Sequence, residues 1–234
     1  MKHWKSISCV ALLAAMVICG TSMAALQATK SPKPAPKAAP KPAPKGGSDA
    51  AKFVPLCNGK DFSEFTPRKA PASIWTLKDG VIQCKGKPFG WLETKKSYRN
   101  YVLKLEMRYP KEAGNSGIFL HIGKIGKKWP KCIEVQGKFV DMCKIFGLGG
   151  TKGTAVPGDA KARTKAQKKH TEWNAIEITV KDGAITATLN GTLIGQSKPF
   201  DITEGPIGLQ SEGAPVEFRK LQIKELPAPK TAKK

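Results

Sequence analysis

Five alternate positions, Tyr101, Leu103, Leu105, Met107 and Tyr109, are apolar, and Lys104, Glu106 and Arg108 between them are charged. Such a stretch buries one face only as an extended strand, because successive side chains point to opposite sides. The same alternation returns along the chain. In Ser116–Ile122, Ile118, Leu120 and Ile122 oppose Phe119 and His121. Ile133 and Val135 alternate with Glu134 and Gln136. Asn174–Val180 offers Ile176, Ile178 and Val180, and Ala184–Asn190 offers Ile185, Ala187 and Leu189. Lys78-Asp79-Gly80, Lys181-Asp182-Gly183 and Asn190-Gly191 supply the residues that tight hairpin turns demand. In the last run, Val216 to Leu226, the apolar phase changes between Phe218 and Leu221, which predicts a bulge. Helical patterning is confined to Asp159–Lys169. Many short strands punctuated by turns predict an all-β antiparallel sandwich.

The two ends differ in kind from this middle. Residues 1–24 combine basic Lys2, His3 and Lys5, an apolar run from Ile7 to Ile18 and a small-residue end at Ser22-Met23-Ala24. That is a secretory signal with cleavage expected before Ala25, which implies a secreted or periplasmic protein with no transmembrane span after processing. Residues 25–51 are rich in Pro, Ala and Lys, a composition that cannot build a core and favours an extended spacer. Residues 228–234 form a basic tail of similar make-up. The folded domain is therefore expected over 52–227. The chain carries 40 Lys+Arg against 18 Asp+Glu, and only 5 of the 40 are Arg. A lysine-dominated excess suits contact with anionic envelope polymers; without an arginine-rich recognition block it argues against a nucleic-acid binder. The glycine-rich loop at 146–153 lacks the order of a phosphate-binding loop.

Strand parity nominates functional side chains. Glu106, Arg108, His121, Glu134, Gln136 and Glu177 all take the polar parity of their strands. Two carboxylates on one strand would mark ordinary glycoside hydrolysis, but the partner position of Glu134 is Gln136, an amide that binds hydroxyls and cannot act as an acid. His121 is suited to proton transfer. Trp91 and Trp129 fall near loops, where an indole can stack on a sugar ring. No zinc or calcium spacing occurs and no cofactor is expected, although ligands from distant strands would escape this reading. Four cysteines lie within the domain. Their proximity in sequence favours the pairs Cys132–Cys143 and Cys57–Cys84 in an oxidising compartment, against the alternative of free buried thiols.

An ordered set of motifs resembles the 3-keto-disaccharide hydrolase family, secreted bacterial domains with a concanavalin-like jelly roll. The set comprises F53-V-P-L-C-N-G-K-D61, W75-T-L-K-D-G80, Y101-V-L-K-L-E-M-R108, G114-N-S-G-I-F-L120, I133-E-V-Q136, W173-N-A-I-E-I-T-V180, L189-N-G191 and G208-L-Q-S-E-G-A-P-V-E-F-R219. Many members carry Arg where this chain has His121, and a His where it has Ser211-Glu212. The resemblance implies a small saccharide substrate, a 3-keto-glycoside. A ketone at C3 acidifies the C2 proton; a base removes it, the C1 oxygen leaves by elimination, and water then adds. On that route His121 or Glu134 is the expected base and Arg108 the group that steadies the enolate. Gln136, Asn115 and Glu106 would position hydroxyls, with Gln210 in the adjoining strand motif. Glu212 would close the site or assist the leaving group. A non-catalytic carbohydrate-binding module on the same fold is the alternative.

Overall fold

The computed structural model describes residues 52–227. The expected signal, linker and tail (1–24, 25–51 and 228–234) lie outside the described residues. Fifteen strands follow in order: β1 (Val54–Pro55), β2 (Phe65–Arg68), β3 (Trp75–Lys78), β4 (Val81–Cys84), β5 (Gly90–Thr94), β6 (Tyr101–Arg108), β7 (Gly117–Leu120), β8 (Cys132–Gln136), β9 (Ile145–Leu148), β10 (Ala155–Val156), β11 (Asn174–Lys181), β12 (Ala184–Leu189), β13 (Thr192–Ser197), β14 (Gly208–Ser211) and β15 (Val216–Glu225). One α-helix, α1 (Ala160–Ala166), interrupts them. It is shorter than the patterned stretch; the Asp159 carboxylate caps it by accepting from the Lys161 and Ala162 amides, which satisfies two otherwise orphaned donors.

The strands form a nine-stranded sheet, ordered β10-β13-β12-β11-β6-β15-β4-β3 with β1 added to β15, and a six-stranded sheet ordered β2-β5-β14-β7-β8-β9. Every strand pairing is antiparallel. This is the antiparallel β-sandwich that the alternation predicts, in the concanavalin-like form that the family resemblance implies. Its core is filled by the apolar parity of both sheets, with Leu103, Leu105, Met107, Ile176, Ile178 and Phe218 from the large sheet meeting Leu92, Ile118, Leu120, Ile133, Val135 and Leu209 from the small one. Each such side chain contributes about 2 kcal/mol on burial.

Asp79 and Gly80, Asp182 and Gly183, and Asn190 and Gly191 all have positive φ, the type I′ requirement that the three turn signals anticipate. The predicted bulge lies between Arg219 and Gln222 of β15, where Lys220 takes φ 52°.

The cysteine pairing is corrected: Cys57, Cys84, Cys132 and Cys143 are all free thiols. Cys132 joins an aromatic cluster on the outer face of the small sheet, whereas Cys143 sits in the core, its Sγ 3.7 Å from the Thr188 carbonyl. A sheet separates the two. Cys57 follows Leu56, which bonds to Leu221 of β15, while Cys84 pairs opposite Val216. Five residues of strand between those anchors span roughly 15 Å, beyond the reach of a disulfide.

Candidate functional site

The outer face of the six-stranded sheet carries the polar constellation. Strand register lays out one transverse row as Thr66, Glu93, Gly208, Phe119, Glu134 and Phe146. The adjacent row contains Arg68, Trp91 and Gln210, with Gly117 paired to Gln136 on the far side. Two glycines open this surface. A Cβ at Gly208 would stand 3.2 Å from Trp91 Cδ1, and one at Gly117 would stand 2.2 Å from Glu134 Oε1. The missing side chains let Trp91 lie across one gap and Glu134 across the other.

Glu134 is 2% exposed, and its Oε1 has no hydrogen-bond partner. Burial, then the nearby Glu212 carboxylate, push its pKa up to about 8. Glu212 is half-buried on the loop after β14 and accepts from Asn115 Nδ2 at 2.8 Å. Burial raises its pKa too, while the Lys128 ammonium opposes the shift. The Gln210 side-chain amide is wholly buried with neither polar atom in a hydrogen bond of good geometry, although it lies near enough to Glu212 to lower that carboxyl's pKa, and Asn115 Oδ1 is also unpartnered. A buried polar atom without a partner costs about 1–3 kcal/mol, so four in one patch, counting Glu134 Oε1, mark a surface prepared for a ligand. Gln136 is half-buried at the edge, its Oε1 accepting from the Lys138 amide.

Aromatic side chains wall the other end. Trp91 is fully buried and donates from Nε1 to Glu93 Oε2 at 2.8 Å; the other Glu93 oxygen accepts from Arg68 Nε at 2.7 Å. Above it, half-buried Trp129 packs edge-on to Phe119 and stacks with Phe89 at 6.1 Å between centroids. Phe89 is 45% exposed. The Lys128 ammonium lies 5.5 Å and 5.7 Å from the centroids of these two outer rings.

The structure therefore brings together Glu134, Gln136, Asn115, Gln210, Glu212, Trp91 and Trp129. It excludes three expected members. Glu106 and Arg108 belong to β6 and face outward from the opposite sheet, with the whole core between them and Glu134. There Arg219 Nε bonds Glu106 Oε2, Arg108 Nε bonds Glu217 Oε2, both at 2.6 Å, and the two guanidiniums clasp the Trp173 ring at 4.4 Å and 4.1 Å. His121 leaves the site because parity fails there: β7 ends at Leu120 and His121 takes φ 52°. The turn sends its ring inward against Tyr101, with Nε2 3.1 Å from the Arg99 carbonyl and Nδ1 3.3 Å from that of Ile202. Burial lowers its pKa, and Ile122 consequently swaps to the outer cluster.

Arg68, Glu93, Phe89 and Lys128 are the residues that sequence reasoning missed. Glu93 shares the parity of Trp91 within Gly90-Trp91-Leu92-Glu93-Thr94, a legible signal; the others depend on loop packing. A depression of about 280 Å3 on the outer face of the large sheet is bordered by Lys104, Glu106, Glu177 and Lys220. Those charges are matched there in pairs, leaving no group aimed at a ligand. Among the described residues no cluster of His, Cys, Asp or Glu could hold a metal ion, and no helix is long and apolar enough to cross a membrane.

Gly117 offers a direct probe of this geometry. Its φ is not in the left-handed region, so Gly117→Ala should fold, yet the methyl must displace the Glu134 carboxyl. Displacements near 1 Å cost about 10²-fold in rate. A drop of that order in kcat is expected in a protein that still unfolds cooperatively, and full activity would show that the position of Glu134 is unimportant.

Solved structures share the architecture. A Parabacteroides distasonis protein provisionally assigned as a glycosyl hydrolase superposes with a TM-score of 0.58 at 25% identity, covering 75% of this chain and 94% of that one. A second protein from the same organism, assigned in the same way, gives 0.57 at 22% identity, covering 75% and 100%. A carbohydrate-binding module from Bacillus subtilis gives 0.50 at 11% identity, covering 69% and 96%, a likeness of fold alone. No curated protein matches the sequence significantly. A carbohydrate-active role is supported by the family match and by the neighbour at 25% identity. The profile of the 3-keto-alpha-glucoside-1,2-lyase-like domain matches residues 52–224, and the chain belongs to that family.

Proposed function

We propose that the protein cleaves 3-keto-glycosides by elimination followed by hydration, using Glu134 and Glu212 as its two proton carriers. The observation that carries the reading is the pair itself: a buried carboxyl pushed up to about 8 beside a half-buried carboxylate hydrogen-bonded to Asn115. Paired groups whose environments separate their protonation define an acid and a base. At neutral pH the proton resides on Glu134, so Glu134 is the donor and Glu212 the base. This reverses the roles expected from sequence.

In the first half-reaction, the Glu212 carboxylate takes the C2 proton, the C1–O bond breaks as C1=C2 forms, and Glu134 gives its proton to the departing oxygen. In the second, water adds its oxygen to C1 and loses a proton to Glu134, while Glu212 returns its proton to C2. The products are the leaving alcohol and the free 3-keto sugar, and both carboxyls regain their starting states. Negative charge gathers on the C3 oxygen between the steps. The buried Gln210 Nε2, which makes no hydrogen bond of good geometry and lies close enough to Glu212 to hold that carboxyl's pKa down, is the donor that can turn to receive it, in place of Arg108. Such donors are worth most where water is excluded. Trp129 and Phe89 supply an apolar platform for the sugar face.

The test is turnover of a 3-keto-disaccharide beside its unoxidised parent. Cleavage of the keto form alone is expected. Equal rates on both would rule out elimination, and sugar binding with no turnover of either would leave a carbohydrate-binding module.

Export remains part of the proposal. Signal cleavage after Ala24 predicts a mature chain that starts at Ala25; intact-mass measurement on exported protein checks it, and retention of residues 1–24 would refute it.

A further inference from the structure

The rim above this site carries an excess of positive charge. Three stretches meet there: the end of β2 with Arg68 and Lys69, the segment 87–89 with Lys87, and the long β7–β8 connection with Lys124, Lys127, Lys128 and Lys131. They hold seven basic side chains and no acidic one. Contacts bind them into one surface. The Lys69 ammonium donates to the Gly126 carbonyl at 2.8 Å and also to the Lys127 carbonyl, and Trp129 stacks on Phe89. Among the described residues, only Arg68 and Lys131 in this set form ion pairs, with Glu93 and Asp201. Lys128 forms no ion pair, although it is near enough to Glu212 to oppose the rise in that carboxyl's pKa, and its ammonium hangs over both rings of the aromatic platform.

A sugar ring stacked on Phe89 and Trp129 would thus place its substituents against the Lys128 ammonium, which is in no ion pair. Resting on the site reading above, we infer that the natural glycoside is acidic: it carries a carboxylate or sulfate ester on the ring that stacks on this platform, and Lys128 pairs with that group. A neutral saccharide would use the platform and leave the rim charge unmatched.

The test uses the full chain and three unoxidised probes in calorimetric titration: cellobiose, a disaccharide containing one glucuronate, and cellobiose 6-sulfate. At least one anionic probe should bind about 10- to 100-fold tighter than cellobiose, the scale of one charge-assisted hydrogen bond, and the advantage should shrink as salt is raised. The arm that gains identifies carboxylate or sulfate. Lys128→Gln should remove the advantage of the anionic probe over cellobiose. Lys165→Gln, on exposed α1 beyond the other end of β8, should leave all three affinities unchanged. Equal affinity for the three probes would overturn the inference while preserving the sugar site. Equal losses from both variants would overturn it in favour of general electrostatic adhesion. Failure of every probe to bind would overturn the site reading as well.

Discussion

Glu212→Gln should abolish aglycone release from 3-keto-glycosides whatever the leaving group, and Glu134→Gln should abolish that release only for poor leaving groups, because elimination precedes the hydration in which Glu134 serves again. Removing a general base or acid costs about 10²–10⁴-fold. A carbanion at C2 must form on every substrate, so loss of the base at 212 is felt throughout. A nitrophenolate departs without a proton and a sugar alkoxide does not, so loss of the donor at 134 is felt only with the sugar. The wild-type profile should mirror this division. With a 3-keto-disaccharide, kcat/KM should decline as pH passes about 8, where Glu134 loses its proton; with a 3-keto nitrophenyl glycoside that limb should vanish. On the acidic side, both substrates should lose rate as Glu212 gains a proton, at a pH above the usual glutamate value because burial raises it. Equal damage from Glu134→Gln on both substrates would remove it from the donor role. A harmless Glu212→Gln would remove the base.

The contrast between fold and site explains what the sequence could disclose. Local rules govern β6, β11 and β12: alternate burial picks the strand, and Asp-Gly or Asn-Gly picks the turn, so their ranges were legible to within a residue. Parity also put Glu134 and Gln136 correctly outside the core. It could not say which sheet a strand joins. Glu106 and Arg108 have the same pattern as Glu134, yet β6 lies in the middle of the large sheet and β8 in the small one. His121 failed for a different reason, a single left-handed residue that ends the alternation one step early. Cys132 and Cys143, eleven residues apart in sequence, illustrate the same limit, because sequence distance ignores the sheet between them. The pairing of Glu134 with Glu212 was hidden because it joins β8 to a loop some eighty residues away. The glycines that make room for the site, Gly117 and Gly208, are readable only once their neighbours across the strands are known.

The buried glutamate also sets how stability responds to pH. In the unfolded chain Glu134 titrates near its ordinary value of 4.5, and in the folded protein near 8. Between those values the folded protein holds a proton that the unfolded chain has released. The stabilisation from this group is therefore complete below about pH 4.5 and is lost as pH climbs toward 8. Each pH unit in the window is worth about 1.4 kcal/mol, so wild type should lose on the order of 4 kcal/mol from this group by pH 8. Glu134→Gln keeps the shape and removes the charge. Its urea-unfolding free energy, compared with wild type at pH 5 and pH 8, should improve by that margin at the higher pH. Other titrating groups cancel in the difference between the two proteins. Glu212→Gln should lessen the slope without erasing it, because burial is the larger cause of the Glu134 shift and the neighbouring carboxylate the smaller. Parallel stability profiles for wild type and Glu134→Gln would mean that Glu134 titrates normally, and the assignment of donor and base would lose its physical ground. A stabilised but inactive Glu134→Gln would instead show a carboxyl kept buried against stability for the sake of its proton.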